Sequence, residues 1–322
     1  MNRIQQENTM INQAWKKTLA ATAVMAAAPL VQAAAYDISF TGGSGVLTFS
    51  NCDAQFCYDG SDPATAGGLI SALNAGQVNI NGVGGAVVSQ GMLDPEDPLS
   101  RYTASARANV TGATLSASGE VLGVQSEGGV ELFATRNSTL SGGSAKVTNL
   151  RFDLTNKTIY ADLDGFRNAV GSPTSASFRP SLSINLPNQA LWTYDSISGP
   201  TAISPADLAG ADPLAALAAK GFTVTPVPGA NGVDVLITAR NTISGLKVTT
   251  EGFNFFRNSL GLTNAGISAL TAVTDYGVVN STLNFRATAA AAVPEPETVG
   301  LALVGVIVAG VAARRRRQLQ AA

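Results

Sequence analysis

Apolar and polar positions alternate along most of this chain with a period of two, the pattern of strands buried on one face. Tyr36–Phe40 alternates and leads through Thr41-Gly42-Gly43-Ser44-Gly45 into Val46–Ser50, which predicts a hairpin. Gly67–Gly91 is glycine-rich with short apolar pieces, and Met92–Pro98 is a turn-rich loop. From Arg101 to Val124, strands alternate small apolar residues with Ser and Thr. Glu131–Thr135 and Ala145–Leu154 follow, the latter turning at Asn156-Lys157 into Thr158–Leu163. Ser175–Leu186, Leu191–Ile197, Phe222–Val227, Val233–Ala239 and Ile243–Thr249 continue, and Tyr276–Ala287 closes the series. Asn231-Gly232 is the clearest short turn signal, since both residues tolerate positive φ.

The period lengthens to a helical one in two places. Asp212 can cap a helix with Pro213 at its first position, Lys220 near its end and Gly221 as the stop, and Ser204-Pro205-Ala206-Asp207 begins a shorter turn before it. Between Thr250 and Leu270, Phe253, Phe256, Leu260, Ile267 and Leu270 recur at helical spacing and read as core residues. The predicted fold is mainly β, an antiparallel β-sandwich-like body with two short helical segments. The segment 199–221, with Pro200, Pro205 and Pro213, is the best internal boundary, or a long connection across one sandwich.

Both ends break this pattern. Residues 1–35 carry Arg3, Lys16 and Lys17, then an apolar run from Leu19 to Val31, then small-residue cleavage patterns at Val31–Ala35; this order predicts a secretory signal peptide. At the other end, the small-residue linker Ala287–Ala292 leads to Val293-Pro294-Glu295-Pro296-Glu297-Thr298. Both prolines there lack an N–H and fix φ, so this stretch is an exposed, extended, cleavable linker. An uncharged apolar run, Val299–Ala313, follows; with Thr298 it predicts a transmembrane helix over 298–313. Its length of about 22 Å is short against a hydrocarbon core of about 30 Å, which suits a temporary anchor. Arg314, Arg315, Arg316 and Arg317 supply a stop and orientation signal, because Lys and Arg collect on the cytoplasmic side. The chain thus divides into a signal peptide (1–35), a β-rich exported body (36–287) and a linker with sorting signal (288–317).

In its order of Pro-Glu-Pro motif, apolar helix and arginine cluster, the tail resembles the PEP-CTERM sorting domain of Gram-negative bacteria. Val293, Pro294, Glu295, Pro296 and Thr298 carry the motif. The resemblance implies export by the general secretion machinery and transient anchoring in the inner membrane. It also implies recognition and cleavage by an exosortase, and delivery to the cell surface or extracellular matrix. The family is associated with exopolysaccharide and biofilm formation. The tag accompanies many unrelated bodies, so it names no activity.

Composition narrows the chemistry of the body. There is no histidine among 322 residues, which removes Ser-His and Cys-His hydrolytic arrangements and histidine-based zinc sites. Of 20 Lys and Arg and 22 Asp and Glu, 13 and 19 fall in the body, leaving it near −6 and without the basic footprint of a nucleic-acid binder. Cys52 and Cys57 are the two cysteines, and in an exported protein they predict a disulfide pinning a small surface loop. No phosphate loop or dinucleotide fingerprint is present.

Carboxylates remain. Asp162 and Asp164 occupy alternate positions of one strand and so share a face, and Asp94, Glu96 and Asp97 crowd one loop. Two carboxyls across a cleft would suit a carbohydrate-active enzyme, although solvated turn acids are the plainer reading. Calcium is the remaining metal candidate, with Asp53, Asp59 and Asp62 beside the cysteines or with Asp162 and Asp164. Over about twenty residues, Ala145–Gly165 resembles strand patterns in HtaA-type surface domains, which bind haem in some bacteria. That resemblance would make Tyr160 the ligand, without the histidine that usually accompanies such a tyrosine. The expectation is a non-enzymatic surface or matrix protein without a cofactor. A module binding carbohydrate, calcium or haem, and an Asp/Glu-dependent carbohydrate-active enzyme, are the alternatives.

Overall fold

The computed structural model describes residues 36–50, 68–97, 100–137 and 140–290. The predicted signal peptide, the predicted Cys52–Cys57 disulfide with Asp53, Asp59 and Asp62, and the sorting tail with its predicted transmembrane helix lie outside the described residues. Among the described residues no helix is long and apolar enough to cross a membrane.

Among the described residues the body has fourteen strands and five short helices. The first half contains β1 (Tyr36–Phe49), α1 (Leu69–Ala75), β2 (Val78–Val83), β3 (Val87–Met92), β4 (Arg101–Leu115), β5 (Val121–Glu127), β6 (Gly129–Ala134), β7 (Gly143–Asp153) and β8 (Thr158–Arg167). The second contains β9 (Leu182–Thr193), β10 (Ser196–Ser198), α2 (Pro205–Leu208), α3 (Pro213–Ala219), β11 (Thr223–Gly229), β12 (Gly232–Ser244), β13 (Lys247–Val248), α4 (Thr250–Ser259), α5 (Asn264–Thr271) and β14 (Gly277–Ala289). The fold is mainly β and antiparallel, as the alternation predicts. One sheet runs in the order β10-β12-β14-β1-β4-β5-β7-β8-β9-β13, with β11 on β12, β3 on β4, and β6 between β2 and β7.

The two ends of that order meet. β10 continues β9 after Tyr194-Asp195, and β13 continues β12 after Gly245-Leu246. Thr193 opposes Lys247 and Ser196 opposes Ser244, so a single register runs through the corner and closes the sheet. Closure there removes a free edge that could pair with another chain. The corner is held by the Asp195 N–H donating to the Ser244 carbonyl at 3.1 Å and by Lys247 Nζ donating to both Asp195 carboxylate oxygens at 2.7 and 2.9 Å. Gly245 has φ +71°, and a Cβ at this position would sit 2.5 Å from Asp195 Oδ2.

Two apolar cores fill the interior. In the first, Ile70 and Leu73 of α1, Phe255 and Phe256 of α4 and Leu270 of α5 pack on Leu47, Ile159, Leu163, Leu191 and Trp192. In the second, Leu208 of α2 and Leu217 of α3 pack on Ile203, Phe222, Ile237 and Phe285. Each large side chain fully buried in this way contributes roughly 1.5–3 kcal/mol. The caps are those the sequence predicts: Asp212 accepts the Ala215 N–H at 2.9 Å and Ser204 accepts the Ala206 N–H at 3.2 Å. Of the helical-spaced residues, Phe256, Leu260 and Leu270 are buried and Phe253 packs at the margin of the first core.

Three expectations are corrected. The predicted hairpin Tyr36–Phe40/Val46–Ser50 is one long strand, β1, bulged between Phe40 and Gly42. The glycines make a bulge rather than a turn: Gly42 has φ +142°, and a Cβ on Gly43 would collide with the Thr282 carbonyl of β14. A helix, α1, stands inside the glycine-rich Gly67–Gly91 stretch, where the sequence shows only short apolar pieces. β9 begins at Leu182 rather than Ser175, because Ser175 and Phe178 close successive turns on the Ser172 and Ser175 carbonyls.

The β1/β14 pair also places the chain ends. Tyr36 opposes Ala289, so the first and last residues of the sheet leave it at one pole. That pole is tied down through Ala289, whose N–H donates to Asp234 Oδ1 at 3.3 Å and whose carbonyl accepts Asn231 Nδ2 at 3.2 Å. Asp234 is buried and takes Arg286 Nε and Nη2 at 2.9 and 2.7 Å on Oδ2.

Candidate functional site

Where β4, β5 and β7 lie side by side, an open polar groove of about 310 Å³ forms. Thr111, Gln125, Glu127, Asn149 and Arg151 line it, with Ser126 contributing between Gln125 and Glu127. Irregular strands shape it. β4 shifts register between Val110 and Gly112, and β7 shifts between Thr148 and Arg151, where Asn149 takes φ +54°. β8 and β9 shift between Ala161 and Leu163, with Asn188 of β9 at φ +51°. Bulges re-aim side chains, and here they turn the two asparagines toward one carboxylate.

That carboxylate is Asp162. Arg151 meets it with two parallel bonds, Nη1 to Oδ1 and Nη2 to Oδ2, both 3.0 Å. Asn149 Nδ2 donates to Oδ2 at 2.9 Å, and the Asn188 N–H donates to Oδ1 at 2.9 Å. Arg151 Nη1 also reaches Asn188 Oδ1 at 3.2 Å. The Arg151 hydrogen bonds, outweighing partial burial and aided by Asn149 and the Asn188 backbone, hold the Asp162 carboxyl down to about 2. Asp162 is therefore a fixed anion that orients Arg151, whose guanidinium stays partly open to the groove. Amide, hydroxyl, carboxylate and guanidinium groups side by side offer the mixed donors and acceptors that sugar hydroxyls need.

The other sequence candidates fall elsewhere. Asp164 shares the outer face of β8 with Asp162, as alternation requires, but it is exposed and lies opposite Lys146, outside the network. Tyr160 is half-buried and opposite Arg151. Asp94 acts in its loop, accepting the Glu96 N–H at 2.9 Å, and does not meet Asp162. Among the described residues no three His, Cys, Asp or Glu converge to hold a metal ion. Arg151, Asn149, Asn188, Gln125 and Glu127 were not singled out by sequence. The available signal was the Asn156-Lys157 turn: it pairs Asp153 with Thr158 and so sets Arg151 diagonal to Asp162 on one face.

Comparison with known proteins places the tail more firmly than the body. No curated protein matches the chain. Among solved structures, the crystal structure of the haem binding protein HtaB from Corynebacterium glutamicum aligns with 79% of this chain and 98% of its own, at 13% identity and a TM-score of 0.31. Residues 292–317 match the PEP-CTERM protein-sorting motif. The chain therefore carries the C-terminal, membrane-anchored signal of exported proteins that an exosortase processes.

Proposed function

We propose that this protein is a non-enzymatic component of the cell surface or extracellular matrix, with a structural or adhesive role in exopolysaccharide. The sorting motif at 292–317 is the observation that carries this reading. In this reading the secretion machinery exports the chain, the apolar helix holds it briefly in the inner membrane, and the exosortase releases the body. The groove beside Arg151 supports a glycan contact, because its polar side chains are presented on an exposed sheet face. Asp162 is committed on both oxygens and stays ionised at neutral pH, so it serves poorly as a proton donor. A surface module that binds carbohydrate is the second reading, favoured by the same groove.

Intact mass and location in cells with and without the exosortase test the sorting. A protein lacking residues 1–35 and the arginine cluster, outside the inner membrane only when the exosortase is present, is the expected result. A full-length C-terminus in the inner membrane of both strains would mean a plain single-span anchor and would remove the main support for a matrix role. Arg151→Ala is expected to weaken retention on the cells' own exopolysaccharide about tenfold or more in a pull-down, the loss of one charge-assisted contact. Unchanged retention would separate the groove from the glycan.

A further inference from the structure

We propose that the interior holds a binding site for a small, neutral, apolar molecule carrying one oxygen acceptor. The site lies where the two cores meet. On the inner face of β4 the positions that a packed strand would fill with Val or Leu are Ala104, Ala106 and Ala108, and Gly45, paired with Ala108 on β1, has open space where a Cβ would stand. The missing side-chain volume leaves a cavity of about 70 Å³ at Ala106 and Ala108, walled by residues of both cores. Protein interiors otherwise close such gaps to crystal-like density.

Trp192 supplies the second observation. It lines this cavity and an adjoining one of about 30 Å³, is 5% exposed, and its indole N–H is buried with no acceptor. In the smaller space the hydroxyl of Tyr276 is likewise buried and unpartnered. A buried donor without an acceptor costs about 1–3 kcal/mol, so the Trp192 N–H, which borders both spaces, marks a place that a ligand oxygen completes. A lone water would meet a donor but leave the apolar wall bare, which an alkyl chain covers. The polar side chains in the wall are Ser126 and Asn241, which donate to the Leu150 and Pro200 carbonyls, and the hydroxyl residues Thr201 and Ser281. The volume admits a short aliphatic chain and excludes a macrocycle or sterol. The wall carries no cation, so a neutral alcohol, ketone or ester fits and an ionised acid does not.

The test uses the full chain with Trp15→Phe, which leaves Trp192 as the sole tryptophan. The probes are 6-bromo-1-hexanol and 6-bromohexanoate, whose bromine quenches indole emission on contact. The alcohol is expected to quench Trp192 saturably, the carboxylate at least tenfold more weakly. Ala106→Leu or Ala108→Leu fills the space and is expected to abolish quenching while thermal unfolding stays cooperative. Trp192→Phe, read by calorimetry, is expected to weaken the alcohol about tenfold. No saturable quenching of the parent protein, or equal quenching by alcohol and carboxylate, would overturn the proposal even where a filled variant fails to fold. Undiminished quenching in a folded, filled variant would overturn it too.

Discussion

Asp162 shows how much of the candidate site rests on one side chain. Its carboxylate collects two bonds from Arg151, one from Asn149 and one from the Asn188 backbone. Asp162→Asn keeps the shape and removes the charge. It is expected to destabilise the body by about 1.5–3 kcal/mol in urea unfolding, the scale of hydrogen bonds to a charged group. The pH dependence follows from the lowered pKa. In the folded state the carboxyl is held at about 2, below its ordinary 3.8. Its contribution is complete above the unfolded value and is lost as pH falls through the folded one. Acid titration of stability should therefore show a loss between about pH 4 and pH 2 that Asp162→Asn lacks. The pair was half legible in sequence: the hairpin turn fixes which residues share a face, but the bulges at Asn149 and Asn188 have no sequence signature beyond the tolerance of asparagine for positive φ.

At the scale of elements, alternation and capping carried most of the information. The Asp212-Pro213 start and Gly221 stop are legible because each satisfies a terminus locally, while Leu217 anchors the helix in the second core. Asp212→Ala should cost about 1 kcal/mol in thermal unfolding. β1 and α1 were misread for the opposite reason. The glycines of β1 matter through the approach of β14, a contact 240 residues away along the chain. α1 spans seven residues between Gly68 and Gly76, too few to show a period, and forms because Ile70 and Leu73 find the first core. The corner that closes the sheet is also a tertiary fact. Gly245→Ala combines a strained φ with a collision against Asp195, and is expected to lower stability by about 1–3 kcal/mol. A melting temperature unchanged from the parent would show that the corner yields easily.

For the whole molecule, the sequence assigned an address and left the cargo open. The tag is recognisable because a peptidase and a membrane read it as linear chain, so its signal is local by nature. The body's groove and cavity are assembled from strands far apart in sequence: Gly45, Ala106, Gly129 and Trp192 meet only after folding. With a body near −6, the proposed contact with an acidic polysaccharide would work against net repulsion and so would rest on specific groups such as Arg151.

The pairing of Tyr36 with Ala289 has a mechanical consequence. A pull on the C-terminus enters along β14, which is held over its whole length by β1 and over Val235–Ile243 by β12. Force along a central strand loads those ladders in shear, so their hydrogen bonds resist together rather than opening one by one. A body held at that end while its outer face grips a polymer would bear drag as a rivet does. Joining residues 36 and 289 covalently and opening the chain elsewhere should leave the fold intact while turning that rivet into a zipper.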